Sequence, residues 1–292
     1  MKTRAFTAFF CLLALSLLMM GLLSGCRNGG NASVGRSEPV FDRVMQSGII
    51  RCGYVPYPPG CIKDPNTGKL TGTHVEAIEM VATNLGLKVK WTEEVAWGTM
   101  IEGLKSGRYD MIASPVWPNS ARAKDAWFTQ PLFYSGIGIF VRQSDTRFAN
   151  NLESINSPNV RISTSDGDMS ESLAKTEFSR AKRVSLPQLS DNSQFFLDLV
   201  GNRSDVVFVE PYFADLYAKN NPNKIKNIAA DKPIRIFGNC WMIPKGEAQF
   251  QQMLNTALTE LIYAGEIDKL LAKYAPSNHS FYRSAYPYRS VQ

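Results

Sequence analysis

Residues 97–136 read WGTMIEGLKSGRYDMIASPVWPNSARAKDAWFTQPLFYSG, and this stretch decides the fold. The apolar positions within residues 100–104 lie on one face of a short helix, which Gly107 ends. The apolar runs at residues 109–113 and 136–141 are typical of buried strands. A helix that leads into a buried strand indicates an α/β chain with a largely parallel sheet.

The same alternation of apolar runs and amphipathic helices extends along the chain on both sides of this stretch. It begins at Phe41, and the cleanest helical face, residues 250–262, is ended by Gly265. We therefore predict an α/β fold for the whole chain after residue 40. The other predicted strands are residues 48–52, 87–91, 160–164 and 205–209, and the other predicted helices are residues 75–85, 170–178, 195–200 and a helix from Pro211.

The first 26 residues have the pattern of an export signal. Lys2 and Arg4 precede an uncharged run at residues 5–23, which is nearly long enough to span a membrane. Leu-Ser-Gly-Cys at residues 23–26 resembles the bacterial lipoprotein signal, in which the cysteine is acylated, for example with palmitate, and becomes the new N-terminus. An uncleaved membrane anchor is the alternative. The predicted segments are a signal peptide at 1–25, a lipid-modified Cys26 and a flexible tether at 26–40, rich in Gly and Ser.

The composition excludes several classes of protein and of site. With 44% hydrophobic and 20% charged residues in 292, the chain is not disordered, collagen-like or a coiled coil. The net charge of +6 falls to +4 when Lys2 and Arg4 are removed, and without a nucleic-acid-binding motif we expect no nucleic-acid partner. Two histidines, His74 and His279, are too few for a zinc site or a Ser-His-Asp triad, so we expect no metal and no cofactor. We expect His74 at the surface rather than against a ligand.

Three cysteines, Cys52, Cys61 and Cys240, remain in the exported part of the chain after Cys26. An odd number in an oxidising compartment allows at most one internal disulfide. A bond between Cys52 and Cys61, a bond from either of them to Cys240, and three free thiols all remain open.

The segment quoted first resembles the signature region of the extracellular solute-binding proteins of the polar-amino-acid uptake group. Further matching stretches extend the resemblance over residues 48–275. It implies an α/β, type II periplasmic-binding-protein fold, with two lobes joined by two crossover strands and a ligand cleft between them. The matching stretches are Trp97, residues 103–112, 122–124, 128–131, 134–136, 70–76, 201–205 and 265–270.

Laid on this chain, the resemblance places lobe 1 at residues 41–134 plus 240–276 and lobe 2 at residues 135–239. Residues 277–292 form an aromatic and basic C-terminal tail outside the resemblance. The tail packs on lobe 1, contacts lipid headgroups or is loose, and the sequence does not choose between these options.

The resemblance also implies a set of ligand-binding residues. Arg122 falls on the family's arginine, which grips the α-carboxylate of an amino acid through its two-pronged guanidinium. Glu210 occupies the position where the family has an aspartate that receives the α-ammonium group. Trp97 and Tyr57 fall where aromatic rings sandwich the ligand side chain. The other residues at ligand-lining positions are Ser114, the Trp117 backbone, and Asn119, where a threonine is usual.

Asp168 departs from the family pattern, because hydroxyl residues commonly follow Gly167 and an acid there repels a carboxylate. In one account Asp168 is a helix N-cap with Glu171 at capping-box spacing, and it faces away from the ligand. In the other it faces the cleft, where two acids against Arg122 favour a basic amino acid or a related amine.

These residues predict a membrane-tethered binding lipoprotein of the cell envelope, not an enzyme, facing the periplasm or the cell exterior. We expect a monomer that captures an amino-acid-like solute by lobe closure and delivers it to an ABC permease. Hinge motion is expected near residues 134–138 and 237–241. One alternative is an enzyme that resembles periplasmic cyclohexadienyl dehydratases, with Asp168 or Glu210 as general acid. Another is a sensor that presents its solute to a receptor.

Overall fold

The computed structural model describes residues 38–148, 151–187, 190–275 and 280–283. The predicted signal peptide, Cys26, most of the tether and most of the tail lie outside these residues. Helix α1 begins at Val40, whose backbone N–H donates to Glu247 Oε2 at 3.0 Å. Within the described ranges, no helix has the length and apolar character needed to cross a bilayer.

The first part of the chain builds most of lobe 1. Parallel strand β1 lies between β4 and β5, and all six residues of β5 are buried, as expected for the centre of a covered parallel sheet. The helices are α1 Val40–Ser47, α2 Thr73–Asn84, α3 Met100–Lys105 and α4 Ser120–Ala123, and the strands are β1 Ile49–Tyr54, β2 Ile62–Lys63, β3 Leu70–Thr71, β4 Lys88–Glu94, β5 Met111–Val116 and β6 Ala126–Phe128.

The chain then passes through lobe 2 and returns. Strands β8, β9 and β10 are parallel, and β10 pairs antiparallel with the end of β7. The strands are β7 Phe133–Arg142, β8 Arg161–Ser165, β9 Lys182–Leu186, β10 Val206–Val209, β11 Ile225–Asn227, β12 Arg235–Pro244 and β13 Phe281–Arg283, and the helices are α5 Met169–Thr176, α6 Ser193–Val200, α7 Pro211–Asn220, α8 Ala248–Tyr263 and α9 Glu266–Tyr274.

Two long strands join the lobes. Strands β7 and β12 pair antiparallel between Phe133↔Asn239 and Ile137↔Arg235. Beyond this ladder they separate, because the end of β7 enters the lobe 2 sheet while the end of β12 pairs with β5 and β6 in lobe 1. The predicted α/β fold with two lobes and two crossover strands is therefore confirmed. The residue boundaries assigned to the lobes stay a prediction.

Each lobe buries its own hydrophobic core against its sheet. In lobe 1, Ile78 of α2 and Phe250 of α8 belong to the fully buried cluster that includes Ile50 of β1. In lobe 2, Leu173 of α5 and Ile162 of β8 belong to a separate cluster. The periodicity predicted these helices within about two residues, because their apolar faces are the surfaces that each sheet covers.

In each lobe, an aspartate just before one parallel strand bonds to an arginine of the neighbouring strand. Asp110, just before β5, accepts hydrogen bonds from the Arg51 backbone N–H at 2.7 Å and from Arg51 Nη2 at 2.8 Å. Asp205, just before β10, accepts from the Arg161 backbone N–H and from Arg161 Nε, both at 3.0 Å. The Asp that ends each of the motifs Ser-Gly-Arg-Tyr-Asp and Gly-Asn-Arg-Ser-Asp thus ties two neighbouring parallel strands together.

His74 was expected at the surface, and that expectation is wrong. The side chain is fully buried at the start of α2, in edge contact with the rings of Phe133 and Trp241. Burial lowers the pKa of His74 to about 3, opposed by a hydrogen bond to the Asn239 backbone, so the imidazole is neutral at pH 7. The turn at Gly72–Thr73 indicated exposure, but α2 starts under the crossover strands rather than at the outer face.

All three described cysteines are free and buried. Burial raises the pKa of Cys61 and of Cys240 to about 12, and it raises the pKa of Cys52 well above its ordinary value. Of the options left open by the sequence, the structure has the three free thiols.

Replacing Asp205 by alanine is expected to lower the free energy of unfolding by about 2 to 3 kcal/mol, because the partly buried arginines around it lose their shared carboxylate partner. Burial would raise the pKa of Asp205, but hydrogen bonds from Arg161, Arg147 and Arg142 lower it below its usual range. The contribution is therefore present above about pH 4 and is lost as the pH falls further. Urea unfolding at pH 7 measures the difference.

Asp125→Ala is the control for this prediction, because Asp125 pairs with Lys105 at the surface and its side chain is 44% exposed. The control should cost less than about 1 kcal/mol. Equal losses in the two variants would contradict the structural role given to Asp205.

Candidate functional site

A small pocket lies where the two lobes meet. Five of its lining residues come from lobe 1, and the sixth, Asp168, comes from the start of α5 in lobe 2. Five of the six were singled out by the sequence, and Pro115 was not. The lining residues are Tyr57, Trp97, Pro115, Trp117, Arg122 and Asp168.

Arg122 is held by both lobes. Its Nη1 donates to the Trp117 carbonyl of lobe 1 at 2.9 Å, and its Nη2 donates to the Gly167 carbonyl of lobe 2 at 3.1 Å. Asn119 caps α4 by accepting from the Arg122 backbone N–H at 2.9 Å. This bond fixes the backbone position from which the Arg122 side chain extends. Burial lowers the pKa of Arg122 and the nearby Asp168 opposes this, yet the guanidinium stays charged at any pH the protein meets.

Gly167 and Asp168 place a carboxyl group at the N-terminus of α5. Gly167 has φ +75°, a left-handed conformation that favours glycine, and this turns its carbonyl toward Arg122. Asp168 caps α5 by accepting from the Met169 N–H, and Glu171 accepts from the Gly167 N–H at 2.9 Å. Asp168 is the N-cap of α5, as one account predicted, but Glu171 bonds to the N–H of Gly167 rather than to that of Asp168. Asp168 also lines the pocket, so it does not face away from it. Burial raises the pKa of Asp168, opposed by the Met169 N–H and the Arg122 charge.

Glu210 lies behind the pocket in contact with Tyr57. The residue precedes Pro211 at the start of α7 and is 2% exposed, and Tyr57 Oη donates to Glu210 Oε2 at 2.5 Å. Burial raises the pKa of Glu210 to about 8, against the opposing Tyr57 hydrogen bond, so the carboxyl is mostly protonated at neutral pH. Burial and the neighbouring Glu210 also raise the pKa of Tyr57 well above its ordinary value.

The aromatic rings contact one another. Tyr57 meets Trp97 edge to face, with ring centroids 5.5 Å apart, and meets Trp117 at 6.2 Å. The pocket between them holds about 10 Å³, so a ligand side chain fits between Tyr57 and Trp97 only if the rings move apart. The predicted pair of rings is therefore present, in contact rather than as an open sandwich.

A larger cavity of about 320 Å³ continues from this pocket and shares Tyr57, Trp97 and Asp168 with it. Glu94 and Asp191 add two more acids to its lining, and Lys63 adds one cation. Lys63 Nζ lies 2.6 Å from Glu94 Oε2, so this pair neutralises itself.

Besides Glu210, two of the predicted site residues, Ser114 and Asn119, do not line the pocket. Ser114 is fully buried, and its Oγ accepts from the Val55 N–H at 2.8 Å and donates to the Val55 carbonyl at 2.9 Å. Its hydroxyl therefore links β5 to the end of β1. Asn119 is exposed and acts as the α4 cap. Direct ligand contacts from either residue stay predictions.

Two polar residues of the crossover strands belong to the site and were missed by the sequence reasoning. Trp117 Nε1 donates to Asn239 Oδ1 at 2.9 Å, and Asn239 Nδ2 donates to Ser135 Oγ at 2.7 Å. The Ser135 side chain also hydrogen-bonds to Glu210. The signal that could have found them is a lone amide, Asn239, next to the apolar run of β12.

This arrangement can recognise a zwitterion. Arg122 uses two of its five N–H donors on carbonyls, which leaves three for an anionic group. Asp168, in the pocket lining, and Glu210, behind Tyr57, supply carboxyl groups for a cation. Arg122 is positively charged, Glu210 is mostly protonated at neutral pH, and the pKa of Asp168 is raised by burial against the opposing charge of Arg122.

The ionisation of Glu210 is expected to lower the free energy of unfolding of the wild type as the pH rises, and Glu210→Gln should remove this decrease. The folded carboxyl keeps its proton to about pH 8, whereas an unfolded glutamate loses it near about pH 4.3, so the folded state binds more protons between these values. The free energy of unfolding of the variant, relative to wild type, should therefore rise from pH 5 to pH 8. His74 contributes the opposite slope only below about pH 6.5, in both proteins.

Urea unfolding at pH 5, 6.5 and 8 makes the measurement, and Glu153→Gln is the control because Glu153 is exposed. If Glu210→Gln and Glu153→Gln follow wild type at all three pH values, Glu210 is not protonated in the folded protein.

Residues 50–277 match the family described as bacterial extracellular solute-binding proteins, family 3. A probable amino-acid ABC transporter-binding protein of Haemophilus influenzae is 40% identical over 107 residues, which is 36% of this chain and 41% of that protein. The cyclohexadienyl dehydratase of Pseudomonas aeruginosa is 24% identical over 220 residues, which is 75% of this chain and 80% of that enzyme.

Among solved structures, an ancestral amino-acid-binding protein that is a precursor of cyclohexadienyl dehydratase has a TM-score of 0.69. It is 26% identical and covers 81% of this chain and 99% of its own. The family match spans both lobes and both crossover strands. The chain therefore belongs to family 3 of the bacterial extracellular solute-binding proteins.

Proposed function

We propose that this protein is the substrate-binding component of an ABC uptake system, and that it captures an amino acid between its lobes. One observation carries the proposal: Arg122 bonds to a carbonyl of each lobe and has three further N–H donors, in a pocket that Asp168 also lines. A carboxylate at Arg122 would thus contact the group that bridges the lobes. Its arrival favours the closed form for a direct electrostatic reason.

The α-ammonium group of the ligand meets Glu210. A cation placed beside a protonated carboxyl favours its ionised form, so binding at neutral pH discharges a proton from Glu210. Tyr57 Oη then supports the carboxylate with its 2.5 Å hydrogen bond. The extra methylene of glutamate, compared with the family's aspartate, keeps the carboxyl within reach of Tyr57.

The ligand side chain extends into the 320 Å³ cavity, and we propose that it is basic. Asp191 lines that cavity and takes part in none of the ion pairs found among the described residues, whereas Glu94 pairs with Lys63 and Asp168 lies near Arg122. A cationic side chain therefore meets a negative field on this side of the rings. Trp97 offers its face to the same cation.

Closure is a hinge motion at the β7–β12 ladder. The paired segment is short, and each strand leaves it for a different lobe. Changes in φ and ψ at residues 134–138 and 237–241 rotate the lobes with little repacking of either core.

Delivery follows from location. The family is extracellular, and we propose that acylated Cys26 and the tether at 26–40 hold the protein as a monomer at the membrane surface, where the permease takes the solute. In the expressing cell, Cys26→Ser should abolish labelling by palmitate and leave the apolar run at residues 5–23 attached to the chain. Unchanged labelling would exclude the anchor.

Arg122→Ala is expected to weaken amino-acid binding by about 10- to 100-fold, because a charge-assisted, two-pronged contact contributes about 1.5 to 3 kcal/mol. Isothermal titration of wild type and variant with the standard amino acids measures the change. Arg108→Ala is the control, because Arg108 pairs with Glu93 at the surface and its side chain is 48% exposed. Unchanged affinity in Arg122→Ala would remove the carboxylate assignment.

Arginine or lysine should bind at least about 10-fold more tightly than leucine or glutamine. Asp191→Asn should reduce that preference by about 3- to 10-fold while leaving the neutral ligands unaffected, since one pairwise charge is lost. Glu102→Gln, on α3 and outside the cavity, is the control in the same titrations. A preference that is the same in both variants would show that the cavity does not select charge.

A second candidate function, a dehydratase, rests on Glu210. A buried carboxyl that is protonated at pH 7 can donate its proton to a leaving hydroxyl, and a relative carries the name cyclohexadienyl dehydratase. In that reaction the ring C–O bond of prephenate breaks, the proton converts the leaving group to water, and the ring carboxylate departs as carbon dioxide. Phenylpyruvate formed by wild type and not by Glu210→Gln would establish this function, and no turnover would exclude it.

A further inference from the structure

Strand β13, near the C-terminus, lies beyond the family match and pairs with the hinge. It runs antiparallel to β7, with Phe281 opposite Ser135 and Arg283 opposite Phe133. The Gly136 N–H donates to the Ser280 carbonyl at 2.9 Å. Because β12 pairs with the same segment of β7, the crossover at this point has three strands rather than two.

The side chains of β13 contact both lobes. The Phe281 ring meets Phe133 edge to face at 5.4 Å and lies 6.1 Å from the ring of Tyr212, on α7 of lobe 2. Arg283 Nη2 lies 2.7 Å from Asp268 Oδ2, on α9 of lobe 1. The strand therefore ties an element of each lobe to the crossover.

Tyr282 fits against a glycine of the hinge. A Cβ at Gly136 would lie 2.9 Å from Tyr282 Cε2, closer than side chains tolerate, so the ring can lie against the backbone of β7 only because residue 136 has no side chain. Gly136 is within the segment where hinge motion is proposed. Any backbone rotation at Gly136 therefore changes the packing of the Tyr282 ring.

Strand β13 also pairs with a residue that contacts the binding site. Ser135, opposite Phe281, accepts from Asn239 and hydrogen-bonds to Glu210, and Asn239 in turn holds the Trp117 indole. The paired backbone of β13 therefore supports the group that faces the proposed ammonium position.

We propose that residues 280–283 are a third hinge strand, which stabilises the closed arrangement of the lobes and positions Ser135 behind Glu210. The effect on affinity rests on the proposed function, because closure is what captures the solute. The effect on the lobes themselves does not depend on any ligand. The strand contacts both lobes in the closed arrangement, and opening separates Phe281 from Tyr212 or β13 from β7, so the strand favours the closed state.

Deleting residues 280–292 tests the proposal in two ways. In small-angle X-ray scattering without ligand, the deleted chain should have a larger radius of gyration than the full chain. In calorimetric titration, its affinity for the best-bound amino acid should fall by about 5-fold or more. A folded deletion variant with an unchanged radius of gyration and unchanged affinity would overturn the proposal.

Point variants keep the test valid if the deletion does not fold. Phe281→Ala and Tyr212→Ala should each enlarge the ligand-free particle, and the double variant should do so by less than the sum, because the two rings share one contact. Leu216→Ala, an exposed residue of the same helix as Tyr212, is the control. Additive effects, or none, would overturn the inference. If wild type binds no amino acid, the proposed function fails, whereas the scattering comparison still decides the role of the strand.

Discussion

The antiparallel ladder between β7 and β12 is the constraint on which the rest of the structure depends. It is the segment where both lobes share backbone hydrogen bonds, and it fixes which side chains can meet in the cleft. Asn239 and Ser135 belong to this ladder and reach the site from it, holding Trp117 and Glu210. Two residues that support the site are thus part of the hinge itself, so a change in lobe angle also changes the support of Trp117 and Glu210.

Desolvation sets the electrostatics of the cleft. Burial acts against the charge of Arg122, Asp168 and Glu210 alike, but its effect on the charge differs between Arg122 and Glu210. Arg122 keeps its charge because its intrinsic pKa is so high, while Glu210, whose main partner is a neutral hydroxyl, keeps its proton. In the proposed function, Glu210 acquires its negative charge when the ammonium group of the ligand arrives. The same property explains why a binding protein and a dehydratase could share this geometry.

Sequence periodicity predicted the fold because each buried helix face repeats at the helical spacing and each parallel strand is a continuous apolar run. The positions of Arg122 and Trp97 followed from a specific, ungapped motif resemblance. His74 was predicted wrongly and the orientation of Asp168 was left open, because tertiary packing decides both. Helix α2 starts beneath the crossover, and Gly167 turns the α5 cap toward the cleft. The β13 pairing is non-local, joining residues 146 to 150 positions apart, and a short strand carries no pattern that indicates such a partner.

The account stands on recognition of a carboxylate by Arg122. The most direct test is calorimetric titration of the wild-type protein with its best-bound amino acid and with the α-amide of that amino acid, which lacks the negative charge. The account predicts that the amide binds at least about 10-fold more weakly, since a charge-assisted contact is lost. Equal affinity for the acid and the amide would contradict it.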